Sequence, residues 1–82
     1  MRYPVAKIEA MKEAEVFEVD VIVFGYAKGG YDVQCGRLSW WQSLTEARKC
    51  EVGRPVAVAR ASGEWEPVQL PPQPPAGLHT YG

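Results

Sequence analysis

The side chains able to do covalent or metal chemistry are few and scattered. Cys35 and Cys50 are the only cysteines, and His79 is the only histidine. Nucleophilic catalysis needs a base beside the serine or cysteine, and the one imidazole lies in a proline-rich stretch. No spacing of Cys and His suits zinc. The Gly29-Gly30 pair has neither the Walker nor the dinucleotide-binding spacing. These absences argue against an enzyme, a metal site or a cofactor. Two cysteines are too few to staple a secreted scaffold, so partly buried free thiols in a reducing compartment are expected.

What remains is binding chemistry. Single-stranded nucleic acid is held by bases stacked on aromatic rings beside a positive groove. Trp40 and Trp41 are the candidate platform, with Lys28, Arg37 and Arg60 as phosphate contacts. Adjacent residues of a strand point to opposite faces, so one tryptophan should be buried and the other exposed. The same aromatic surface could instead hold a protein partner. Ile22 and Phe24, expected on the outer face of the first strand, would then extend a patch with Trp41.

The elements that must position these residues follow from hydropathy and turn signals. The 82-residue chain is 46% hydrophobic, enough for one small domain with one core. Residues 6–15, "AKIEAMKEAE", are good helix formers. Ile8 and Met11 form the narrow stripe expected to pack the helix, and Pro4 suits its lead-in or first turn. Residues 16–24, "VFEVDVIVF", alternate as a strand. Gly29 and Gly30 can take positive φ, which predicts a turn into a second strand, "YDVQC". "RLSWW" reads as a third strand. A short helix follows over 44–50, with Thr45 as N-cap and Gly53 after it. "PVAVAR" and "EWEPVQL" read as fourth and fifth strands, the latter at an edge because of Pro67.

This order predicts an all-β fold, a small five-stranded Greek-key barrel of OB type. It has a short N-terminal helix and a short helix between strands three and four. Residues 1–15 form the lead-in, 16–70 the barrel, and 71–82 a flexible proline-rich tail. The tail also carries PxxP spacing, a weak signal for an aromatic-lined partner.

Residues 8–58 resemble the S1 domain, the RNA-binding repeat of the bacterial ribosomal protein S1 family. The likeness rests on the lead-in "IEAMKEAE", the valine-rich first strand and the Lys28-Gly29-Gly30 turn. Val33, Ser43 and the Val52-Gly53 pair complete it. It implies an OB-fold and RNA binding in translation or RNA metabolism. Charge is the counterweight. The net charge is −1, whereas phosphate binding relies on Lys and Arg. Asp32 stands where an aromatic residue would serve RNA. The alternative is therefore a module that docks on a ribosomal or transcription protein, including a small viral inhibitor. No membrane span, signal peptide or small-molecule substrate is indicated, and the expected location is the cytoplasm.

Overall fold

The computed structural model describes residues 1–68. The proline-rich tail expected over 71–82, its PxxP spacing and His79 lie outside the described residues. The chain runs α1 (Tyr3–Phe17), β1 (Val21–Gly25), β2 (Tyr31–Cys35), α2 (Leu38–Gln42), α3 (Glu46–Val52), β3 (Arg54–Ala59) and β4 (Trp65–Pro67). The four strands form one antiparallel sheet in the order β2-β1-β3-β4. This is an open α+β arrangement and corrects the expected five-stranded barrel. The barrel lacks its third strand, because the "RLSWW" segment coils into α2. Helical spacing lets Leu38 and Trp41 face the sheet together, on Ile22, Phe24 and Val58.

The helix α1 is longer than the sequence suggests. Pro4 sits in its first turn, where the missing N–H costs nothing. It runs on through Val16 and Phe17 and stops at Glu18, in the left-handed region at φ 55°. Strand β1 starts only at Val21, because both neighbouring strands begin pairing there, Cys35 on one side and Ala59 on the other. The face α1 buries is not Ile8 with Met11. Ala6, Ala10 and Ala14, four residues apart, are fully buried against Val21, Val23 and Ala59. Small side chains let the helix backbone approach the sheet closely. Met11 joins at the margin and Ile8 points outward, 67% exposed.

With α1 on one face and the α2–α3 segment on the other, β1 is buried on both sides. This explains its unbroken run of Val21, Ile22, Val23 and Phe24. It also corrects the expected outer apolar patch. Ile22, Phe24 and Trp41 are core residues, exposed by 0%, 1% and 5%.

A bulge distorts the β1–β3 pairing. Val23 lies opposite Ala57 and Phe24 opposite Pro55, so Val56 is the extra residue. Its side chain turns to the α1 side, beside Tyr31. The strand β4 is an edge, which accommodates Pro67. Among the described residues, no helix is long and apolar enough to cross a membrane.

Candidate nucleic-acid interface

Two glycines seat two tyrosines at the hairpin end of the sheet. The ring of Tyr31 lies over Gly25, where an added Cβ would meet Tyr31 Cε2 at 3.2 Å and Val56 at 3.4 Å. The ring of Tyr26 lies over Gly53, where a Cβ would meet Tyr26 Cε1 and the Gly25 carbonyl oxygen at 3.0 Å each. Gly53 ends α3 at φ 97°, a conformation that glycine adopts without a Cβ penalty. Both rings line an open cleft of about 480 Å³, whose wall also includes Glu46, Lys49, Cys50 and Arg54. A second hollow of 430 Å³, with Lys28 on its wall, adjoins it and shares Tyr26, Ala27, Gly29 and Cys50.

The turn that carries Lys28 is tight. The Gly29 N–H donates to the Tyr26 carbonyl at 2.9 Å and the Tyr26 N–H to the Gly30 carbonyl at 3.2 Å. Gly29 and Gly30 have φ of 95° and 88°.

The electrostatics favour an anion here. Arg54 and Lys28 make no ion pair among the described residues. Lys49 is held 4.8 Å over the Trp41 ring and 3.5 Å from Glu46. Three cations thus meet two carboxylates, Glu46 and Asp32. The Asp32 carboxylate accepts the Val33 N–H at 2.9 Å and a long 3.4 Å bond from the Tyr26 hydroxyl. Burial, and then Asp32, push the Tyr26 phenol up from its ordinary range, so it stays a neutral donor.

The residues expected from sequence do not form one face. Trp41 is buried, and its indole N–H donates to the Gly53 carbonyl at 2.8 Å. Trp40 is exposed at 37%, so one tryptophan is in and one out, by helical rather than strand geometry. Arg60 is committed to Asp20 at 2.9 Å and to Glu66. The backbone N–H of Ala61, assisted by Arg60, holds the Asp20 carboxyl below the usual range against the opposing effect of burial. Arg37 and Arg60 stand at the Cys35–Ala59 end of the sheet, while Lys28 stands at the opposite end. Of these, only Lys28 comes near the tyrosine cleft, on the wall of the adjoining hollow. Tyr26, Tyr31, Lys49 and Arg54 are the residues that sequence reading missed. The signal available was the close spacing of aromatic and glycine in "FGYAKGGY".

Cys35 and Cys50 are free and exposed, where partial burial is expected from sequence. Among the described residues, no three His, Cys, Asp or Glu side chains are grouped to share a metal ion. No family model matches the chain, and neither a curated protein nor a solved structure matches it.

Proposed function

We propose that this protein is a non-catalytic module that binds single-stranded RNA across its hairpin end. The observation that carries this reading is the cleft beside the Tyr26 and Tyr31 rings, with Lys49 and Arg54 on its wall and Lys28 on the wall of the hollow that adjoins it. A strand of nucleotides can run over both, with a base against a tyrosine ring and phosphates near Lys28, Lys49 and Arg54. Base–aromatic stacking contributes about 1–3 kcal/mol per base. The Lys28-Gly29-Gly30 turn, which carries much of the S1-like resemblance, forms the rim of this site. Two exposed free thiols suit a reducing, cytoplasmic setting in translation or RNA metabolism. The protein-docking alternative loses its expected patch, because Ile22, Phe24 and Trp41 are core.

The test is fluorescence anisotropy with a labelled oligouridylate at about 50 and 200 mM salt. Micromolar binding that weakens with salt, and about 5- to 150-fold with Tyr26→Ala, supports the reading. Trp40→Ala should leave it unchanged. No binding at low salt contradicts it.

A further inference from the structure

Nine large apolar side chains are exposed among the described residues, and seven of them (Met1, Tyr3, Val5, Ile8, Val16, Phe17 and Val19) belong to α1 or its flanks. Exposed apolar surface is therefore concentrated on one element. Val5, Ile8, Lys12 and Val16 follow the three- and four-residue spacing that lines one side of a helix. This side is roughly opposite Ala6, Ala10 and Ala14, which bury the other against the sheet. Nothing within the described residues covers it: Val5, Ile8 and Val16 are 49%, 67% and 64% exposed.

We infer that this stripe is the contact face of an antiparallel homodimer, in which α1 of one copy pairs with α1 of a second. Lys12 within the stripe and Glu9 at its edge carry the choice of partner and direction. A two-fold axis between Ala10 and Met11 sets Val5 against Val16 of the second copy, and Glu9 against Lys12 of the second copy. Symmetry makes each of these contacts twice. Ile8 then lies beside the aliphatic stem of Lys12, whose ammonium reaches the carboxylate. Parallel pairing would set Lys12 against Lys12. Antiparallel pairing is thus the direction in which the charges of this face complement each other.

The contact is small. A 15-residue helix is about 22 Å long, and one such pairing covers less than the ~800 Å² per partner of a standard stable interface. The dimer is therefore concentration-dependent rather than obligate.

Sedimentation equilibrium of the full chain without RNA, from about 10 µM to 1 mM, tests this. The mean mass should climb from one chain towards two. Ile8→Glu should hold the chain monomeric throughout with an unchanged circular dichroism spectrum, since Ile8 has no role in the core. Lys12→Glu should weaken association at least about tenfold, and adding Glu9→Lys to it should restore the original association. A chain monomeric at the highest concentration overturns the inference. So does a dimer untouched by Ile8→Glu, or a charge swap that fails to restore pairing.

Discussion

The indole N–H of Trp41 donates to the carbonyl of Gly53 across 2.8 Å in the interior of the protein. This bond ties the short helix α2 to the end of α3. The same glycine seats the ring of Tyr26 from its Cα side. Core and cleft are therefore coupled at one residue. Trp41→Phe keeps most of the buried area but leaves a buried carbonyl without its donor. The expected cost is about 1–3 kcal/mol, read as a lower urea midpoint.

Gly53→Ala should destabilise more than Gly29→Ala. Both glycines have positive φ, 97° and 95°. A Cβ at Gly29 meets open space and pays only the left-handed penalty, about 1–2 kcal/mol. A Cβ at Gly53 also meets the Gly25 carbonyl and the Tyr26 ring at 3.0 Å. Thermal unfolding of the two variants gives the order. Under the proposed function, Gly53→Ala should also weaken oligouridylate binding, because the Tyr26 ring must move.

Stability should fall in acid through Asp20. Its folded pKa lies below the ordinary value of about 3.9. The carboxylate's contribution is therefore complete above that value and is lost as pH falls through the lower folded pKa. Asp20→Asn should reduce stability at pH 7 and flatten the acid limb. Chemical denaturation from pH 7 to about pH 3 reads both effects. An acid limb identical in the variant would remove Asp20 from this role.

The packing of α1 yields a contrast between neighbouring positions. Ala10 is fully buried against the sheet, whereas Ile8 is mostly exposed. Ala10→Leu should overpack the helix–sheet contact and cost about 1–3 kcal/mol. Ile8→Ser, measured as a dilute monomer, should change stability by no more than about 0.5 kcal/mol. Equal effects at both positions would contradict the alanine face.

These contrasts show where the sequence could be read and where it misled. The Gly29-Gly30 turn, the Thr45 cap and the edge position of Pro67 were legible, because each depends on local backbone chemistry. The role of residues 37–42 was not. "RLSWW" reads as a strand by local pattern, and the helix is favoured instead by a long-range bond from Trp41 to Gly53 and by packing on Ile22 and Phe24. The face of α1 misled for a different reason. Hydrophobicity ranks Ile8 above alanine, but close approach to a sheet favours the smaller side chain. At the site, Lys28 was legible as a turn cation. Arg60 could not be recognised as spent on Asp20, 40 residues earlier in the chain. The tyrosine cleft depends on Gly53 and Arg54 returning beside Gly25, a pairing that only the β1–β3 register provides.

The most direct measurement is a titration of the isotope-labelled chain with oligouridylate, followed residue by residue through amide chemical shifts. The account expects shifts at Tyr26 to Tyr31 and at Lys49 to Arg54, growing together along one binding curve. Shifts centred instead on Arg37, Trp40 and Arg60, or none at all, would contradict it.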